Sequence, residues 1–160
     1  MPSGMFAALT DQDLGAIISY LRSLPVREGH TQGVQFGTLA HVLFALGRFQ
    51  PAADEAQRAG QLTKSYPAPN DSDWTGAYLA RTVCTECHGL DLRGDPSGKP
   101  PDLEVAGSYP LGAFTHLMRT GKAPGEREVG LMSRVARERF SHLTDAEIAS
   151  LHRYLVARAR

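Results

Sequence analysis

Cys84-Thr85-Glu86-Cys87-His88 decides how the rest of this sequence is read. Two thiols three positions apart, followed at once by an imidazole, leave three chemistries open: a dithiol redox pair, a zinc site and covalent haem attachment. A redox pair of the thioredoxin kind needs a β-α-β setting, and strand patterns are absent. Zinc needs a second ligand pair at matching spacing, whereas His116, His142 and His152 are scattered singly. Haem attachment needs nothing more. Two thiols at the end of a helix reach the two vinyl groups on one porphyrin edge, and the next residue brings an imidazole nitrogen beneath the iron. A tethered haem also supplies apolar area that a small domain lacks. The expected cofactor is one covalently bound haem c, held by Cys84, Cys87 and His88.

The flanks agree with a helical domain. Residues Asp73 to Val83 read as a short helix leading into the motif. Gly89 to Gly107 is rich in Gly, Pro and Asp and reads as a long loop. Such a loop in a small domain implies that something other than side chains fills the space beneath it. Leu111 to Thr120 reads as a helix stopped by Gly121, and a second loop follows to about Gly130. The last helix starts at Thr144, whose Glu147 completes a capping box, and carries Ile148, Leu151 and Leu155 on one face. The fold class is all-α, with short helices and long loops.

Upstream, Thr10 caps a helix from about Asp11 to Ser23, with Leu14, Ile17, Ile18 and Leu21 on one face. A second helix is expected over Gln35 to Gly47, and a third from Pro51 to near Gly60. The apolar side chains Phe36, Leu39, Leu43 and Leu46 call for burial. Tyr66 to Asp73 is the best linker, because its prolines forbid helix and its small polar residues bury little. Leu9-Thr10-Asp11-Gln12-Asp13-Leu14 through Tyr20-Leu21 recurs in the same register as Leu143-Thr144-Asp145-Ala146-Glu147-Ile148 through Tyr154-Leu155. The matched Tyr-Leu endings point to an internal repeat rather than two unrelated caps. Residues 1–25 then form the tail of a preceding domain, 26–72 a helical connector and linker, and 73–160 a complete domain.

Composition removes other functions. Seventeen basic residues balance seventeen acidic ones among 160, so no basic field draws nucleic acid. The most apolar stretch, Leu39 to Leu46, is interrupted by His41 and is far short of the roughly 20 residues that span a bilayer. No signal peptide is visible at the start. Since haem is joined to such motifs outside the cytoplasm, the expectation is a periplasmic or otherwise exported protein whose signal was removed, or a part of a longer chain.

The motif followed by Gly89, with Gly76 and Tyr78 before it and Tyr154 near the end, resembles the class I cytochrome c domain, and the likeness covers residues 73–160. The resemblance implies that Gly76 lets the first helix cross the last one closely. Lys99-Pro100-Pro101-Asp102-Leu103 resembles the family's Pro-x-Leu loop, so Pro101 would accept a hydrogen bond from His88 and orient it. The second axial ligand would be a methionine. Met132, after the second loop, stands where the family places it, although Ser133 follows where the family often has proline. Met118 and a histidine are the other candidates, and the simplest role for Met118 is to fill the core. Arg93, Lys99 and Tyr109 would border the haem. Trp74 reads as packing at the start of the domain. Met1-Pro2-Ser3-Gly4 resembles the ligand loop of a second such domain: either the chain is the C-terminal part of a diheme or multihaem subunit, with Met1 as the other domain's ligand, or Met1 is merely an initiator.

The function this implies is single-electron transfer with His88 and Met132 on the iron, in an electron carrier rather than an enzyme. Its partners would be redox proteins, either a periplasmic dehydrogenase subunit or a respiratory-chain acceptor. The alternatives are a haem sensor or peroxidase-like enzyme with a weak sixth ligand, and a metal-binding module without haem.

Overall fold

The computed structural model describes residues 6–26, 29, 33, 35–48, 52–63, 74–98 and 100–159. Met1, the start of the third helix at Pro51, the linker at 66–73 and Lys99 lie outside them. The chain divides into two compact units, Met1–Thr63 and Lys64–Arg160.

Among the described residues the first unit holds the helices α1 (Asp11–Ser23), α2 (Thr38–Ala45) and α3 (Ala52–Thr63). α1 keeps its expected bounds, because the Thr10 hydroxyl accepts the Asp13 N–H at 3.1 Å and satisfies one of the free donors of the first turn. α2 starts three residues later than Gln35. Gly37 takes the cap position in an extended conformation (φ −71°, ψ 165°) and keeps the residues before it out of the helix. α3 continues past Gly60 to Thr63. Neither α1 nor α2 buries a single residue. Phe36, Leu39 and Leu46 are 60–71% exposed and Leu43 37%, so the burial expected for that face is not found.

The second unit runs α4 (Trp74–Leu79), a π-helical turn (Ala80–Cys84), α5 (Thr85–His88), α6 (Glu104–Gly107), α7 (Leu111–Thr120), β1 (Lys122–Ala123), β2 (Arg127–Glu128), α8 (Leu131–Glu138), a 3-10 turn (Phe140–His142) and α9 (Asp145–Arg158). The fold is all-α apart from β1 and β2, which pair antiparallel as Lys122 with Glu128 and Ala123 with Arg127. Four details differ from the sequence-based expectation. The first helix does not stop at Val83 but carries the cysteine motif through to His88. The end of the long loop winds into α6. The loop after α7 closes as a hairpin, and α8 precedes the final helix.

α9 is the spine of this unit. Thr144 and Glu147 form a full capping box at its start, and it packs on α4, α6 and α7. Ile148, Leu151 and Leu155 are at most 2% exposed, and burying each contributes roughly 1.5–3 kcal/mol. They join Phe114, Leu117 and Met118 of α7, Leu92 and Leu103 of the long loop, and Phe140 in one core. At the crossing of α4 and α9, a Cβ on Gly76 would collide with the Ser150 carbonyl and sit 2.8 Å from Tyr154 Cβ. Only glycine permits backbones this close.

The two repeat helices share cap geometry. Thr10 and Thr144 both have φ −69°, with ψ 155° and 160°. They differ in cover: Leu14, Ile17 and Leu21 of α1 are 37–58% exposed where Ile148, Leu151 and Leu155 of α9 are sealed.

Candidate haem site

The helix that carries the motif changes pitch as it reaches it. From Ala80 to Cys84 the turn widens to the π form, which is common beside functional residues. The hydroxyls of Thr82 and Thr85 donate back to the Tyr78 and Arg81 carbonyls at 2.8 Å each. Cys84 ends the wide turn and Cys87 and His88 lie in α5, so both thiols and the imidazole rest on one continuous helical segment.

The thiols are free and unlike each other. Cys87 is exposed, and Cys84 is partly covered within the apolar rim against the core. Burial, with a smaller contribution from Cys87, pushes the Cys84 thiol up to about 12. A thiol kept protonated at neutral pH is a poor attacking thiolate. Among the described residues no three His, Cys, Asp or Glu side chains gather to hold a metal ion.

His88 is buried, and its Nδ1 lies 2.8 Å from the Pro101 carbonyl oxygen. A carbonyl only accepts, so this contact places the proton on Nδ1 and leaves the lone pair on Nε2, the tautomer of an imidazole ready to bind a metal. Pro101 reaches His88 because the loop after the motif folds back on itself. Gly94 N–H donates to the His88 carbonyl at 2.8 Å, Asp95 N–H to Pro100 at 2.9 Å and Leu103 N–H to Leu92 at 3.0 Å. Four of its residues, Gly89, Leu92, Gly94 and Gly98, have positive φ, and two of them shape the turn toward His88. Gly94 (φ 75°) lies so close to the Pro100 and Pro101 carbonyls that a Cβ there would collide with both. Leu92 (φ 63°) pays a strain of order 1–3 kcal/mol, and its fully buried side chain holds it in place.

Met118 is 2% exposed within the core, the filling role expected of it. Met132 lies in the first turn of α8, half-buried, among the side chains that pack against the core from outside. Val83, Cys84, Tyr109, Val129 and Val135 belong to the same partly covered apolar set. Of the other expected residues, Arg93 is exposed and Trp74 stacks on Tyr78 at 4.8 Å. His116 pairs with Glu126 at 3.0 Å, and His142 is exposed. His152 has its Nε2 2.7 Å from the Tyr109 carbonyl and its ring 5.2 Å from Phe114.

A protein-family model for cytochrome c matches residues 75–158, more than half of the chain. The chain belongs to the cytochrome c family. No curated protein and no solved structure matches it. A cytochrome c of this kind carries a covalently bound haem c, and Cys84 and Cys87 fit one such site. When bound, that group supplies the one-electron chemistry of iron, and haem-based electron transfer is the function of the family. The chain's own residues do the rest. Cys84 and Cys87 on one helical segment would offer the tethers, His88 would offer Nε2, and the half-covered apolar side chains around them would border the group. None of the described helices is long and apolar enough to cross a membrane.

Sequence reasoning missed Gly94 and Leu92 as shapers of the loop, and Arg158 and Arg81 as its anchors. Arg81 Nη1 donates to the Leu90 carbonyl. Arg158 donates from Nη2 to the Asp91 carbonyl at 2.8 Å and from Nη1 to Asp102 Oδ1 at 3.0 Å. Gly94 offered a signal, as one of the turn-forming residues in a long loop. Arg158 offered none, since its partners lie 56 and 67 residues away.

Proposed function

We propose that this cytochrome c domain carries single electrons with His88 and Met132 as its two axial ligands, on the exported side of the cell. One observation carries the reading: the His88–Pro101 contact, which presents Nε2 as a ligand and raises its basicity. Met132 is favoured as the second ligand by its half-covered place at the start of α8, whereas Met118 is enclosed by the core. Two strong ligands leave small molecules no open position, which suits a carrier and not a sensor or peroxidase-like enzyme. The partners are redox proteins, a dehydrogenase subunit as donor or a respiratory-chain acceptor. The exported location is supported by the chemistry of attachment, which takes place outside the cytoplasm.

The test is the absorption spectrum of the reduced, haem-loaded chain with and without carbon monoxide. The expected spectrum is low-spin and unchanged by the gas. Met132→Ala becomes high-spin and binds carbon monoxide, and Met118→Ala does neither. Gas binding by the unaltered protein contradicts the ligand pair and favours the sensor or peroxidase-like alternative.

We also infer that α1 is the last helix of a second domain of the same kind. Its register and cap match α9, its Leu14, Ile17 and Leu21 match the α9 side chains sealed in the core, and its Ala16 and Tyr20 match Ser150 and Tyr154, the face that α4 crosses at Gly76. The occupant of that face is a helix of the α4 type, with glycine at the crossing, from a preceding haem domain whose ligand is Met1. The natural reading frame upstream of Met1 then encodes another C-x-x-C-H. A frame that opens at Met1 removes this part of the proposal.

A further inference from the structure

The loop from Gly89 to Leu103 is closed by its own hydrogen bonds and is tied to the motif helix by the Gly94 N–H on the His88 carbonyl and by Arg81 on the Leu90 carbonyl; α9 supplies a further tie. Its neck is the pairing of Leu92 with Leu103, 3.0 Å from Leu103 N to Leu92 O. Next to that pair, one on each limb, lie Asp91, just before Leu92, and Asp102, just before Leu103. Arg158, in the last turn of α9, bonds both limbs, through the Asp91 carbonyl at 2.8 Å and the Asp102 carboxylate at 3.0 Å. The same Asp102 oxygen, Oδ1, also accepts the Glu104 N–H at 2.9 Å. The guanidinium is largely covered, with 17% of its side chain exposed.

This matters for Pro101 because of what proline lacks. Pro100 and Pro101 have no N–H, so this stretch donates no backbone hydrogen bond of its own, and its one backbone tie is the Asp95 N–H on the Pro100 carbonyl at 2.9 Å. On the far side of Pro101, Asp102 is the neighbour that is tied to α9. We propose that Arg158 is a positioning residue: by joining Asp91 and Asp102 to α9 it keeps the Pro101 carbonyl on His88 Nδ1, and so sets how strongly the imidazole binds iron. The inference rests on the haem reading above and adds a residue that the motif does not contain. Arginine is required over lysine, because one planar fork reaches two acceptors on different residues, whereas an ammonium is a point charge.

The test compares Arg158→Ala and Arg158→Lys with the unaltered haem-loaded chain. A weaker Nδ1–H···O bond leaves less electron density on the imidazole and stabilises ferric iron less. The Arg158→Ala midpoint potential is therefore expected to rise and its iron–histidine stretching frequency to fall, with Arg158→Lys in between. Asp102→Asn should shift both in the same direction, and adding it to Arg158→Ala should change little further. In the haem-free chain, exchange at the Gly94 and Leu103 amides should quicken roughly tenfold in Arg158→Ala, while that of α7 stays put. A variant that melts earlier but keeps the parent potential, stretching frequency and loop exchange would show a merely structural arginine and overturn the proposal. Failure of the unaltered chain to take up haem would instead overturn the function proposed above, and the loop exchange would still decide this one.

Discussion

Replacing Gly76 with alanine puts the helix crossing at the base of the domain to a quantitative test. The new Cβ would lie 2.8 Å from Tyr154 Cβ and closer still to the Ser150 carbonyl, where ordinary carbon contacts are about 3.5–4.0 Å. α4 and α9 must therefore part by roughly 1 Å. Overpacking costs about 1–3 kcal/mol. The upper end applies, because the obstacle is a backbone carbonyl that no rotamer change can move. Alanine's helix preference over glycine returns about 1 kcal/mol. The net loss is about 2 kcal/mol, or roughly 8–16 °C in Tm for a domain of this size. Thermal unfolding of the haem-loaded protein by circular dichroism measures it. Gly112→Ala in α7, where a Cβ meets nothing within 4 Å, is the control and should stabilise by up to about 1 kcal/mol. If Gly76→Ala matched the parent or melted later, the close crossing would be refuted.

Other outcomes follow from the same structure. Leu151→Ala should cost about 2–5 kcal/mol by leaving a cavity, while Ile17→Ala, its repeat counterpart on the exposed α1 face, should cost under about 0.5 kcal/mol; denaturant titration separates the two. Gly94→Ala should cost at least about 1–2 kcal/mol from left-handed backbone alone and should also raise the midpoint potential by pushing the Pro101 carbonyl off His88. Glu128 is lowered to about 2 by hydrogen bonds from Lys122, then Ser133 and Arg137. Its folded value lies below its ordinary 4.5, so its support of the β1–β2 hairpin is complete above about 4.5 and lost as pH falls toward 2. Hydrogen exchange at the hairpin should quicken over that window, and Glu128→Gln should abolish the dependence.

What was legible in the sequence was local. Thr10 and Thr144 marked their helices because a cap is a bond between residues three apart, and α7 ran between the bounds its pattern suggested. The motif itself announced the two thiols and the imidazole. α8 was legible and missed: Leu131, Met132, Val135 and Ala136 recur at helical spacing. The hairpin had its turn signal in Pro124-Gly125, but strands of two residues leave no alternation to read. The π-helical turn had no signal, since it differs from an α-helix only in which carbonyl each N–H chooses. The burial expected of Phe36 and Leu39 failed because a pattern shows which face is apolar but not what covers it. The Arg158 clamp joins residues far apart in sequence and became visible only when the fold had brought them together.

Denaturing mass spectrometry of the chain, matured with haem-attachment machinery, probes the covalent bond on which all of this depends. The unaltered protein is expected to carry the mass of one haem after complete unfolding, and the Cys84→Ser, Cys87→Ser double variant none. A bare polypeptide mass for the first, or an unchanged haem mass for the second, would contradict the account.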